Sequence, residues 1–191
     1  MKHLLLLEIP TRIETPRLLV RRYQPGDGGW YFEMSRRNRE HLTPFEPRNP
    51  AMGIASPDDA EIVVRDFALA WDGRKHFFLG AFERSTGEFA AQVYAGPVSW
   101  EAGEFEIGYF ADCVHEGRGF VTEAVQGVCG WLFEHLDARR LTIHCDDTNP
   151  RSAAVAERCG FHREGHTRED HARDDGFTGT LHYGLLRRDL A

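Results

Sequence analysis

The chain has 191 residues, 41% hydrophobic and 12% aromatic, enough to build a full core and to exclude a disordered polar segment. Its 23 basic and 30 acidic side chains give a net charge of -7, which argues against nucleic acid as a partner, since a sequence-independent hold needs a basic footprint. Residues 1–50 carry 9 Lys and Arg against 6 Asp and Glu, so the remainder carries 14 against 24, a balance that suits a cationic substrate.

The leucine run at residues 4–7 is too short for a signal-peptide core or a membrane span. It reads as an extra N-terminal strand or a loosely held extension, residues 1–13, of a single domain spanning 1–191. Cys113, Cys129, Cys145 and Cys159 show no CxxC or zinc-type spacing, the usage of reduced thiols in a cytoplasmic protein. Residues 17–23, RLLVRRY, predict a strand that Pro25-Gly26-Asp27 breaks, and a helix follows over 28–39. Five prolines and glycines between Thr43 and Pro57 predict a long loop, the kind of connection that commonly carries function.

Ser56-Pro57-Asp58-Asp59 announces a second helix: a serine cap, a proline at the first helical position and two carboxylates at the positive helix end. Its apolar face is Ala60, Val63, Val64, Phe67, Ala70 and Trp71, and Asp72-Gly73 stops it. Residues 76–83 and 88–96 predict a hairpin around Ser85-Thr86-Gly87. Residues 103–111 predict a third strand with Phe105, Ile107 and Tyr109 on one face. Glu104, Glu106 and Phe110 lie on the other, a mixture that suits a half-open surface. Helical period returns with Val121, Ala124, Val125, Val128, Leu132 and His135. A strand over 141–145 precedes Asn149-Pro150, which opens a helix that Cys159-Gly160 ends, and two further strands fall near 161–168 and 180–187. This order predicts an α+β fold with helices on the faces of the sheet.

Gly117-Arg118-Gly119 lies between a strand and a helix, where unpaired N–H groups and the positive end of the helix dipole converge and an anion such as phosphate binds. A tight turn without a ligand explains the same glycines. A P-loop needs Lys-Ser/Thr where Phe120-Val121 stand, and a Rossmann fingerprint needs a glycine where Thr122 stands, so neither nucleotide motif fits. His162 and His166 fall in a predicted strand with Gly165 between them, which argues against a metal site.

The segments ETPRLLVR (14–21), RNREHLTPFEP (37–47), FEIGYF (105–110), GRGFVTEAV (117–125) and NPRSAAVAERCGF (149–161) together resemble the GNAT superfamily of N-acetyltransferases, in particular its RimJ/RimL type. The resemblance implies a mixed, mostly antiparallel twisted sheet, splayed between central strands at 107–111 and 141–145, and acetyl-coenzyme A as cosubstrate without a metal. It implies a pyrophosphate on the main chain of Val114, His115, Glu116, Gly117, Arg118 and Gly119, with a charged contact from Arg118. It places Phe110, Ala111, Asn149 and Ser152 against the rest of the donor, with an oxyanion donor among the N–H groups near Phe110 or Ala111.

Glu106 matches the glutamate expected to take the proton of the amine, and Ser152 the serine expected to assist the thiolate. A solvated strand carboxylate, a first-turn serine and an N-cap asparagine are the structural readings of Glu106, Ser152 and Asn149. The implied acceptor is a primary amine, foremost an N-terminal α-amino group of a ribosomal protein or peptide, with a polyamine or aminoglycoside as the small-amine alternative and a non-catalytic acyl-coenzyme A sensor as another. The protein is expected to act as a monomer or homodimer. His41, His144 and His182 are further candidates for the acceptor cleft. Three positions depart from the pattern: Val114 replaces Gln or Arg, Ala156 stands where many members carry a proton-donating tyrosine, and Gly179-Thr180 occupy the region of a usual aspartate.

Overall fold

The computed structural model describes residues 3–173 and 176–190. Its strands are β1 Arg12–Glu14, β2 Leu18–Arg22, β3 Phe77–Glu83, β4 Phe89–Ser99, β5 Glu104–Ala111, β6 Arg140–Asp146, β7 His162–Arg173 and β8 Gly176–Leu186. They form one sheet in the order β1-β2-β3-β4-β5-β6-β8-β7, antiparallel throughout except where β5 meets β6. The helices are α1 Gly28–Leu42, α2 Pro57–Asp72, α3 Phe120–His135 and α4 Pro150–Arg158. A parallel pair needs a crossover, and α3 supplies it between β5 and β6.

Each face of the sheet carries its own core. On one, Phe105, Ile107, Leu141 and Ile143 pack with Val125, Val128 and Leu132 of α3 and Val155 of α4. On the other, Tyr31 and Met34 of α1 and Val64 and Phe67 of α2 pack with Tyr23, Phe89 and Phe110. Phe110 is therefore buried rather than lying on a half-open surface, because α1 and α2 cover that end of β5, while Glu104 and Glu106 stay partly exposed near its other end.

Local chemistry sets the helix starts. Ser56 Oγ accepts the Asp59 N–H at 3.1 Å ahead of Pro57, and Asn149 Oδ1 accepts the Ser152 N–H at 3.1 Å ahead of Pro150. The loop between α1 and α2 contains a 3-10 turn at Pro50–Gly53 that Asn49 caps.

The leucine run is not a strand. Leu4–Leu6 make a single 3-10 turn with Leu5 and Leu6 exposed, since four leucines have no polar face to turn outward; the extra strand is β1, around Ile13. Nor is the segment loosely held: Leu7 O accepts from Arg74 at 2.6 Å, Pro10 O accepts from Trp131 Nε1 at 3.0 Å, and Ile9 is buried. The final hairpin runs longer than the expected strands because its polar, exposed β7 carries no alternating apolar signal. No helix among the described residues is long and apolar enough to cross a membrane.

Candidate functional site

Strands β5 and β6 pair only at Glu104 with Arg140, Phe105 with Leu141 and Glu106 with Thr142. Beyond that point residues 107–111 and 143–146 diverge. The Asp112 N–H is bonded to Ala90 O at 2.9 Å, and groups along a strand alternate in direction. The main chain of Phe110 therefore turns to β4, and those of Tyr109 and Ala111 turn into the gap.

Two cavities flank the gap. One, of about 540 Å³, is walled by the 45–50 loop, Tyr94, Gly108, His144, Asp146 and Arg173. The other, of about 440 Å³, is walled by Glu40, His41, Ala111, Glu116, Asn149 and Ser152. Phe45, Glu46, Tyr109 and Phe110 line both and mark where they meet. Arg173 pins the first cavity by donating to Pro44 O at 2.6 Å and pairing with Asp146. Burial pushes the Asp146 carboxyl up, but hydrogen bonds from Thr148 and Arg173 outweigh it and hold the pKa near about 2.

The glycine loop enters the second cavity through Glu116. Gly117 (φ +72°) and Gly119 (φ +76°) are left-handed, a conformation that glycine adopts without strain. Among the described residues the N–H groups of Glu116, Gly117, Arg118 and Gly119 have no acceptor, and they lead into the first turn of α3, whose N–H groups are also unpaired. That string of donors fits a pyrophosphate. Arg118 is already engaged: it bonds Glu83 at 2.8 Å and lies 4.5 Å over Phe120. Val114 is exposed, and His115 is buried with Nδ1 3.4 Å from Asp112. Glu83, Glu88 and His115 bring ligand-type atoms within 4.8 Å of one another, but Arg118 already supplies the countercharge.

RNREHLTPFEP assembles the wall between these parts. Arg37 bonds Asp112 at 2.6 and 3.0 Å, Asn38 Nδ2 bonds it at 2.9 Å, and Asn38 Oδ1 accepts the Cys113 N–H at 2.8 Å, tying α1 to the start of the glycine loop. Arg39 closes the α1–α2 loop by donating to Ile54 O at 2.6 Å. His41 Nε2 lies 3.7 Å from Glu116, which also pairs with Arg151 of α4.

The pattern of acetyltransferase (GNAT) domains matches residues 17–162 of this sequence. The chain belongs to the GNAT acetyltransferase family. It is 41% identical over 64 residues to the probable N-acetyltransferase YjcK of Bacillus subtilis, which covers 34% of this chain and 35% of that one. It is 35% identical over 81 residues to the ribosomal-protein-serine acetyltransferase of Escherichia coli, covering 42% and 45%. The aligned stretches thus span less than half of these relatives. RimL, a ribosomal α-N-protein acetyltransferase solved with coenzyme A, superposes with a TM-score of 0.81 at 19% identity, covering 93% of this chain and 97% of that one.

Within this GNAT fold Ser152 stands on the smaller cavity, and its Oγ donates to Tyr109 Oη at 3.2 Å. Tyr109 in turn donates to Ser152 O at 2.8 Å, and burial raises its pKa. Sequence reading missed this phenol, although it lies in FEIGYF; it reaches α4 in the stretch where β5 no longer pairs with β6. Ala156, where many superfamily members carry a tyrosine, is fully buried. Glu106 lines neither cavity; it sits at the last β5–β6 pair, on the same strand face as Gly108. His144 lines the larger cavity and shares a 2.9 Å Nδ1 to Nδ1 hydrogen bond with His182, and His41 lines the smaller one. His162 and His166 lie on strand β7, where a bulge falls between Arg163 and Gly165.

A side chain at Gly119 would meet only Arg17, at an ordinary 3.5 Å, so its glycine is required by φ rather than by space. Gly119→Val is expected to reshape the loop and weaken coenzyme A binding about tenfold or more, since left-handed backbone costs an L-residue about 1–2 kcal/mol. Calorimetry on the folded variant checks this; unchanged affinity would remove the loop from the donor site.

Proposed function

We propose that the protein moves an acetyl group from acetyl-coenzyme A to a primary amine, with the α-amino group of a protein or peptide as acceptor. The observation that carries the reading is the separation of β5 from β6, which leaves unpaired main-chain groups between two cavities that meet at Tyr109 and Phe110. The donor set fits the cosubstrate: unpaired N–H groups from Glu116 into α3 for the phosphates, then Asn149 and Ser152 at the start of α4. The amine enters from the larger cavity.

A protonated amine cannot attack, so a base must first remove a proton. Glu106 takes it through water, because its carboxylate stands beside the larger cavity rather than in it. As the carbonyl oxygen becomes negative, the N–H of Ala111 or Tyr109 in the gap donates to it. The new C–N bond forms as the C–S bond breaks. Ser152 Oγ swings from Tyr109 toward the departing sulfur, which gains its proton there or from solvent, while the new amide nitrogen releases its extra proton to solvent, from which a serine that has donated regains its own. Tyr109 keeps a hydroxyl beside Ser152 in the region where Ala156 offers none. The E. coli relative named for ribosomal-protein serine supports a protein acceptor.

The decisive measurement is thiol release from acetyl-coenzyme A with N-terminal peptides, polyamines and aminoglycosides. Release is expected to be fastest with a peptide. Turnover of the small amines alone would move the acceptor to that class, and tight coenzyme binding with no release from any amine would make the protein an acyl-coenzyme A sensor.

A further inference from the structure

Among the carboxylates lining the two cavities, one is both sheltered from solvent and without a countercharge among the described residues. Asp146 is held by Arg173 and by the Thr148 and Thr178 hydroxyls, and Glu116 is held by Arg151. Glu40 is exposed to solvent. Glu46 is half-buried, lines both cavities, and forms no ion pair among the described residues; its one side-chain bond comes from Asn49 Nδ2 at 3.4 Å. Arg48 lines the larger cavity without pairing with it.

The main chain that carries this carboxylate is held on both sides. The Glu46 N–H donates to Leu42 O at 2.7 Å, and Glu46 O accepts the Asn49 N–H at 3.0 Å. Asn49 Oδ1 is committed to the Ala51 N–H at 3.0 Å, so only its NH₂ is left to face Glu46. A carboxylate removed from water without a cation is costly, and one made rigid at an opening is prepared to receive a cation. Burial raises the Glu46 pKa, as expected for a carboxylate that lacks such a partner.

We propose that Glu46 binds the ammonium form of the acceptor amine at the junction of the two cavities and so selects acceptors whose reacting nitrogen is cationic in solution. This rests on the acetyl-transfer reading and adds to it a residue and a substrate property. The ammonium is captured against Glu46, loses its proton toward Glu106, and the neutral amine then faces the donor. Glu46 is an acceptor-binding residue on this reading and takes no part in the proton transfer.

The test measures binding apart from turnover. A six-residue peptide with a free N-terminal serine and the same peptide N-acetylated are titrated by calorimetry into the protein loaded with coenzyme A. The parent protein should prefer the free amine by about 10- to 100-fold, the range of a charge-assisted hydrogen bond. Glu46→Gln, which keeps the shape and the Asn49 contact, should abolish the preference while leaving coenzyme A affinity unchanged, and Glu46→Asp should restore part of it. No preference in the parent protein, or an undiminished one in Glu46→Gln, overturns the proposal. Thiol release with the same peptide and acetyl-coenzyme A reads the other hypothesis: no release with an intact, Glu46-dependent preference would sink acetyl transfer and leave Glu46 standing. Release at an unchanged KM in Glu46→Gln would do the reverse.

Discussion

Glu106→Gln is expected to lower turnover by about 10²–10⁴-fold, the usual contribution of a positioned acid or base, while coenzyme A affinity stays the same. Its carboxylate shares a strand face with Gly108, which lines the larger cavity, and it sits at the last pair before β5 leaves β6. On the proposed reading a water links it to the amine, and it does not touch the donor. The loss should be steepest at low pH, where the amine is most fully protonated, and should shrink as rising pH supplies neutral amine without a base. Ser152→Ala should act in the same direction but more weakly, because water or the neighbouring Tyr109 hydroxyl can serve the thiolate. The measurement is kcat against pH for both variants with a peptide acceptor. Full turnover in Glu106→Gln across that range would move the base elsewhere, and His144, which lines the larger cavity, would be the next residue to test.

What could be read beforehand divides by the range of the interaction. Asn149-Pro150 and Ser56-Pro57 announce helices because capping is settled within three residues, and both caps form. Gly117 and Gly119 stand out because a left-handed backbone asks for glycine wherever it occurs. The divergence of β5 and β6 leaves no mark in periodicity, since each strand alternates normally up to and through it; only the family resemblance indicated it. Tyr109 gains its meaning from a segment far away in sequence, meeting Ser152 across 43 positions; Glu46 is placed locally, by the end of α1 and the Asn49 turn, but the cavity it lines is completed by distant residues such as Tyr94, His144 and Arg173. The same holds for Arg37 and Asn38, which composition alone would leave as solvated helix residues. The leucine run misled because hydrophobicity without alternation does not specify a strand.

Asp112→Ala is expected to destabilise the fold by about 2–3 kcal/mol and to weaken coenzyme A binding as well. Truncating one partner of a buried pair costs more than the pair contributes, because the other partner is left without its bonds. Asp112 is fully buried and receives two bonds from Arg37 and one from Asn38. The Arg37 side chain is 38% exposed and can turn to water, which keeps the cost below that of a fully enclosed pair; Asn38 is buried, and its NH₂ retains only the bond to Met34 O. The same cluster fixes the Cys113 N–H and His115 at the entrance to the glycine loop, so the loop should loosen even where the fold survives. Burial pushes the Asp112 carboxyl up, but the hydrogen bonds of Arg37 and Asn38 and the charge of Arg37 outweigh it and hold the pKa below the usual range. A carboxylate depressed in the folded state adds stability that is present above its unfolded pKa, about 4, and is lost as pH falls through the lower folded value. Urea unfolding of parent and variant should therefore show a gap that is full at neutral pH and narrows on acidification below about pH 4. A gap independent of pH in the acid range would mean that the side chain contributes by packing rather than by charge, and parent-like coenzyme A affinity in the variant would separate this cluster from the donor site.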